Sequence, residues 1–393
     1  MKILGIIVEY NPMHNGHIYQ IQKAKELINP DYTIVIMSGN FTQQGNLSVL
    51  NKFSKASLAV QNGVDLVLEL PVVYATSSAE FFAKGAVTIL NSLNSITHLV
   101  FGSECYNIQT LTSIAKKLNT NENKIINLIK KSNNKSKNIA SIRSEVLKDF
   151  LTEEEIECID KPNNILAIEY LKNLDKLNST IEPVLINRVY SSHNSLEIAN
   201  NHASSTLIRK CLNEKNFTTI SSLVPQNVFE ELKNTNLDIY DKFFYILKYE
   251  IIRLGKEGLN NIQEVAEGIE NRIYDMAINS NNYNEFIKKM ETKRYTLGRI
   301  KRICSNIILG ITKGKFKSLC NVQYAKILKV NGSSKGIISL LTKSSSIPIL
   351  ANLNDNDYIN QAERSSLAID ILSSKIYNIL SGNNVTDYTN KLD

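Results

Sequence analysis

The chain has 393 residues, 43% of them hydrophobic, and carries 45 Lys and Arg against 38 Asp and Glu, a net charge of +7. That length exceeds one ordinary domain and the apolar content supports an ordered core, which excludes a disordered or fibrous chain. Five cysteines without a CxxC spacing read as reduced thiols, and the short apolar start and lack of any membrane-length stretch predict a cytoplasmic protein with no signal peptide and no membrane partner.

Residues 3–8 are almost wholly apolar and β-branched, the pattern of a buried parallel strand. They run into Glu9-Tyr10-Asn11-Pro12-Met13-His14-Asn15-Gly16-His17. Pro12 fixes φ, Gly16 lets the backbone approach a ligand, and a helix starting near His17 aims its amide groups at an anion. Two imidazoles three residues apart can donate hydrogen bonds to a triphosphate, which suits attack on the α-phosphorus of ATP, where charge builds on oxygens. Read otherwise, His14 and His17 are a surface pair or half of a zinc site. The three further histidines (His98, His193, His202) and every cysteine are distant in sequence, so no metal site is assigned.

Further strands are expected over 33–37, 65–69, 98–101 and 183–187, alternating with helices over 18–27, 52–62, 80–91 and 163–174. The alternation predicts an α/β fold with a doubly wound parallel sheet. In such sheets the loops at the carboxyl ends of the strands line the ligand crevice, so Ser38-Gly39-Asn40, Glu69-Leu70-Pro71, Phe101-Gly102-Ser103-Glu104 and Arg188 should converge on the nucleotide. Gly102 reads as a close approach to adenine or ribose, or a plain turn. Asn163 reads as a contact to a base or ribose edge, or a helix cap.

Between the fourth and fifth strands, a polar helical insertion spans about 108–160. Its residues 113–148 hold nine Lys and Arg against Glu122 and Glu145, a balance of +7. Next comes Ala203-Ser204-Ser205-Thr206-Leu207-Ile208-Arg209, where hydroxyls cap a helix or bind phosphate oxygens and Arg209 sits one turn in, aimed at the same anion. Residues 218–317 read as consecutive helices, with Ile300, Ile303, Cys304, Ile307 and Ile308 forming an apolar stripe. Within them 288–317 holds ten Lys and Arg against Glu291 alone, a balance of +9 that leaves the chain outside the two basic segments at −9. Positive charge segregated beside an ATP site points to a polyanionic second substrate, nucleic acid first. Lys293, Arg294 and Tyr295, with Arg299 and Arg302, mix charge and an aromatic ring as phosphate contacts and base stacking require. A mixed tail follows, with a strand over 325–330. The division expected is 1–212, an ATP-binding domain; 213–320, a basic helical RNA-binding domain; and 321–393, a small α/β tail.

Taken together these strings resemble the tRNA(Met) cytidine acetate ligases, a bacterial family with a nucleotidyltransferase-like core. The resemblance also rests on Met37-Ser38-Gly39-Asn40-Phe41, Gly63-Val64-Asp65-Leu66-Val67-Leu68-Glu69-Leu70-Pro71 and Lys161-Pro162-Asn163-Asn164-Ile165-Leu166. It implies that acetate attacks ATP to give acetyl-adenylate and pyrophosphate, and that the wobble cytidine of elongator tRNA(Met) takes the acetyl group on N4. Carried over, the ATP site, which would take ATP with Mg2+, is Ile7, Val8, Glu9, Tyr10, Asn11, Pro12, Met13, His14, Asn15, Gly16, His17, Ile18, Tyr19 and Gln20, with Gly102, Asn163 and Arg188. Ser205, Thr206 and Arg209 would complete it, and His14 and His17 would act on the α-phosphate. The family usually has Gln-Arg-Gly where this chain has Gln43-Gln44-Gly45, which leaves Lys52 or Lys55 as the nearby replacement cation. Two other readings stand beside this one: a small-molecule adenylyltransferase, and a nucleotide-gated RNA-binding protein without catalysis.

Overall fold

The computed structural model describes residues 1–105, 107–131, 139–159, 161–187, 203–235, 238–292, 294–321, 323–351, 353, 359–388 and 392. Its centre is a seven-stranded sheet of β1 (Ile3–Val8), β2 (Tyr32–Ser38), β3 (Leu66–Leu70), β4 (His98–Ser103), β5 (Glu182–Asn187), β6 (Ala325–Val330) and β7 (Ile349–Leu350), in the order β5-β4-β1-β2-β3-β6-β7. Strands β1 to β5 run parallel, as the alternating sequence pattern predicts. Strand β6, expected in the C-terminal tail, instead pairs antiparallel with β3 (Leu66 opposite Val330, Glu69 opposite Lys326) and carries β7 on its outer edge.

The strands are buried on both faces, which is why they read as apolar runs rather than alternating ones. Ile3, Ile34, Ile36, Leu66 and Leu68 face one side, against the helices Ala79–Ser92 and Pro162–Lys176. Leu4, Ile6, Val35, Met37 and Val67 face the other, against Asn15–Ile28, Lys52–Gln61 and Ser205–Asn213. A second body of helices, Ile239–Asn260, Ile269–Ile278, Tyr283–Met290 and Leu297–Leu309, closes with Gln361–Ser381 around Phe243, Phe244, Leu247, Ile300, Ile303 and Tyr377. The expected stripe at 300, 303, 304, 307 and 308 is buried here. Phe41, Leu47, Val72 and Val73, from the loops after β2 and β3, belong to the same core, so the helical body sits directly on the carboxyl ends of those strands. Among the described residues no helix is long and apolar enough to cross a membrane.

Beneath these loops lies a buried charge cluster. Lys52 Nζ donates to both oxygens of Glu69 at 2.9 Å and to Asp387 Oδ1 at 2.5 Å, while Lys326 Nζ reaches Glu69 Oε2 at 2.7 Å and also Asp387 Oδ1. The side chains of Lys52, Glu69 and Asp387 are at most 1% exposed. Two ammonium groups therefore face two carboxylates in a site at most 3% exposed, a balance that burial favours. Asp370, next to them, accepts from Val72 N at 2.7 Å and from Tyr324 Oη at 2.6 Å, and burial together with Glu69 pushes its carboxyl up to about 7.

Candidate active site

At the carboxyl end of β1 the chain turns through a cis Asn11-Pro12 peptide, with Tyr10 at φ 48° and fully buried. His14 then caps the Asn15–Ile28 helix: its Nδ1 accepts from Gly16 N at 3.1 Å, and the His17 Nδ1 accepts from His14 N at 3.2 Å. Both Nδ1 atoms are acceptors, so in the neutral rings the proton is assigned to Nε2, the atom that can donate to a phosphate oxygen. The two rings stack at 3.7 Å between centroids, and Tyr10 meets His17 edge-on at 4.9 Å. A side chain at position 16 would put its Cβ 3.0 Å from the His14 ring, so the glycine is what lets the pair stack.

The helix Ser205–Asn213 holds this turn from the other side. Ser204 caps it by accepting from Leu207 N at 3.1 Å. Ser205 Oγ donates to Pro12 O at 3.3 Å, and Arg209 donates to Asn11 O at 2.6 Å and to Thr206 Oγ1 at 3.1 Å. Burial pulls the Arg209 guanidinium down from its ordinary value, a cost that an incoming anion would offset. At the end of β4, Asn164 Oδ1 accepts from Ser103 Oγ (2.6 Å), Glu104 N (2.9 Å) and Cys105 N (3.2 Å), fastening the Pro162–Lys176 helix to the strand. Its neighbour Asn163 donates to Glu104 Oε1.

Between these elements lies a cavity of about 290 Å³. One wall is apolar (Phe82, Phe101, Ile165, Leu166, Tyr170) and suits a base; the other presents Glu9, Asn11, His17, Gln43, Gln44, Ser205 and Arg209, groups that suit a phosphate chain. A nucleotide needs that division.

The HIGH Nucleotidyl Transferase family matches residues 1–392. The tRNA(Met) cytidine acetate ligase of Clostridium kluyveri is 39% identical over 400 residues, spanning 98% of this chain and 96% of its own length. That of Clostridium acetobutylicum is 35% identical, spanning 100% and 99%. The crystal structure of Thermotoga maritima TmcAL in its apo form superposes with a TM-score of 0.90 at 30% identity over 98% of this chain and 96% of that one; the form bound with alpha-thio ATP gives 0.88. The chain belongs to the tRNA(Met) cytidine acetate ligases.

Of the ATP-site residues expected in this ligase, the structure brings Ile7, Val8, Glu9, Tyr10, Asn11, His17, Gln20, Gly102, Asn163, Ser205 and Arg209 to the cavity wall. Pro12, Met13, His14, Asn15, Gly16, Ile18, Tyr19 and Thr206 do not line it; His14 stacks on the His17 ring and caps the helix, and Thr206 accepts from Arg209. Arg188 and Lys293 lie outside the described residues. The loops Ser38–Asn40 and Glu69–Pro71, expected to converge on the nucleotide, do not line the cavity. They surround lysines instead: Lys55 Nζ donates to the carbonyls of Glu9, Ser38 and Gly39 at 2.8–2.9 Å. Neither Lys52 nor Lys55 therefore replaces the arginine absent at Gln44, because both are occupied by buried partners. Thr42, Gln43, Gln44 and Asn46 are cavity residues that the sequence did not single out as ligands. Gly45, at φ +72°, explains their placement: a Cβ there would sit 2.3 Å from the Lys301 carbonyl carbon and the Arg302 amide, so the loop rests on the backbone of the Leu297–Leu309 helix.

The expected RNA-binding side chains are also repositioned. Tyr295 is buried, donates to Glu267 O at 3.1 Å and has the Arg294 and Arg299 guanidinium groups over its ring at 5.6 and 5.5 Å, so it offers no face for a base. Arg302 pairs with Glu264 Oε1 at 2.8 Å with its side chain 14% exposed, and Arg299 donates to Glu264 O. These two arginines hold a loop. The exposed cations of this segment are Lys288, Arg294, Lys313, Lys315 and Lys317.

Proposed function

We propose that the protein activates acetate with ATP and passes the acetyl group to N4 of the wobble cytidine of tRNA(Met). The observation that carries this is the divided cavity at the His14–His17 turn, in a chain that runs the length of ligases bearing that name. In the first step an acetate oxygen attacks the α-phosphorus of ATP; the new P–O bond forms as the bond to the β-phosphate oxygen breaks, and pyrophosphate leaves. His17 Nε2 and the positive end of the Asn15–Ile28 helix dipole stabilise the charge that grows on the α-phosphate, and Arg209 receives the leaving pyrophosphate. Mg2+ would travel on the triphosphate, keeping its waters and neutralising phosphate charge, with Glu9 the one acidic side chain on the cavity wall among the described residues. In the second step the cytidine N4 attacks the acyl carbon, the C–O bond to AMP breaks, AMP departs with the electron pair, and the amine loses one proton. The exposed lysines of 288–317 supply phosphate contacts to the RNA. Five free cysteines agree with a reducing, cytoplasmic setting.

The test is pyrophosphate exchange into ATP with a panel of carboxylates and no RNA, followed by labelled acetate with ATP and bulk tRNA. Acetate-dependent exchange and label recovered as acetylated cytidine are expected. Conversion of a phosphorylated metabolite and ATP to a dinucleotide, with tRNA unlabelled, would overturn the reading.

A further inference from the structure

A second cavity, of about 240 Å³, opens beside the first where the β2 loop meets the helical body. It shares Asn46 and Arg209 with the ATP cavity, so the two adjoin. Two cations face it. Arg209 is held by neutral oxygens, and Lys301 donates to Asn46 Oδ1 at 3.0 Å; no Asp or Glu occurs among the described residues that line it. Burial and the neighbouring Arg209 draw the Lys301 ammonium below its ordinary value. Tyr283, another lining residue, is 5% exposed, and its hydroxyl has no hydrogen-bond partner among the described residues. Its ring stacks on Tyr240 at 5.2 Å.

Paired cations without an acid call for an anion, and an orphan buried hydroxyl marks a place where a ligand's polar edge completes the set. The size and the walls decide which ligand. Acetate would leave most of the space empty and both tyrosines untouched. Pyrophosphate would use the cations and leave the aromatic pair and the amides of Asn213 and Asn284 idle. A nucleotide uses all of them: a planar base against the half-buried Tyr240, its amide-like edge on the asparagines and the orphan hydroxyl of Tyr283, its phosphate on Lys301. We propose that this cavity is the acceptor subsite, receiving one unpaired pyrimidine nucleotide of the RNA so that its exocyclic amine reaches the acyl group at the border, lined by Asn46 and Arg209, where the two cavities adjoin. The proposal rests on the acyl-transfer reading above and adds where the acceptor sits. An anticodon-loop base is already unpaired, so its extrusion costs little.

The experiment uses the wild-type protein and an anticodon stem-loop RNA carrying 4-thiouridine at the wobble position, irradiated in the presence of ATP and acetate. Crosslinks mapping to peptides that contain Tyr240 or Tyr283 are expected; crosslinks confined to other peptides overturn the subsite. Lys301→Met should raise the KM for the unmodified stem-loop about tenfold, the scale of one charge-assisted phosphate contact, and an unchanged KM counts against it. Pyrophosphate exchange on the same wild-type preparation separates the two levels. Without acetate-dependent exchange the acyl-transfer reading falls and the subsite with it, whereas exchange with crosslinks elsewhere removes the subsite alone.

Discussion

Asp387 is the only carboxylate besides Glu69 within ion-pair distance of Lys52 and Lys326 among the described residues, and it follows the Gln361–Ser381 helix. Asp387→Asn keeps the shape of the side chain and removes the charge, leaving two ammonium groups on one carboxylate in a site 0–3% exposed. Breaking a buried pair in this way costs about 3–5 kcal/mol, several times a surface pair, because the uncompensated charge stays out of water. The two lysines hold the Asp387 carboxyl well below the usual carboxylate range, so the full loss should be visible at neutral pH. The chain has no tryptophan, which makes tyrosine emission and far-UV circular dichroism the probes for a urea titration. A double-mutant cycle with Lys326→Met isolates the cause: removing the second charge should restore about 2 kcal/mol or more of what Asp387→Asn loses. A single variant within about 1 kcal/mol of wild type, or a cycle with no coupling, refutes the argument.

Two further outcomes test the site and the cluster. His17→Ala should lower acetate-dependent pyrophosphate exchange about 10²-fold, the scale of one preorganised donor, with little change in unfolding; exchange at the wild-type rate would remove the ring from the reaction. Asp370 has its folded-state value raised to about 7 from an ordinary 3.8, so the folded chain binds the extra proton across that window and stability falls as pH rises through it. Relative to Asp370→Asn, the wild type should therefore lose stability between about pH 4 and pH 7, at up to about 1.4 kcal/mol per pH unit, and a flat difference in urea titrations would show that the carboxyl is not protonated.

Local strings foretold local structure well. The β-branched run of β1, the histidine turn and the Ser204 cap each contain their own cause within a few residues: strand propensity, a fixed φ and a side chain that accepts from a nearby amide. What the sequence concealed depends on partners far along the chain. Arg209 reads as a phosphate ligand, but that it also holds the carbonyl of Asn11 cannot be read from its own stretch of sequence. Arg302 and Tyr295 read as an exposed basic and aromatic pair until Glu264 and the Glu267 carbonyl, over 25 residues earlier, bury them. The antiparallel return of β6 beside β3, and a cavity whose lining runs from Asn46 to Lys301, have no signature at short range, because their residues meet only once the helical body has docked.

The bare contact at Gly45 ties the helical body to the wall of the cavity at the histidine turn. With no side chain between the turn and the peptide group joining Lys301 to Arg302, nothing soft absorbs a displacement. A shift of the Leu297–Leu309 helix is therefore handed to the loop that carries Gln43 and Gln44 into the cavity wall. The join is set by backbone rather than by rotamers, and its position tolerates a single amino acid.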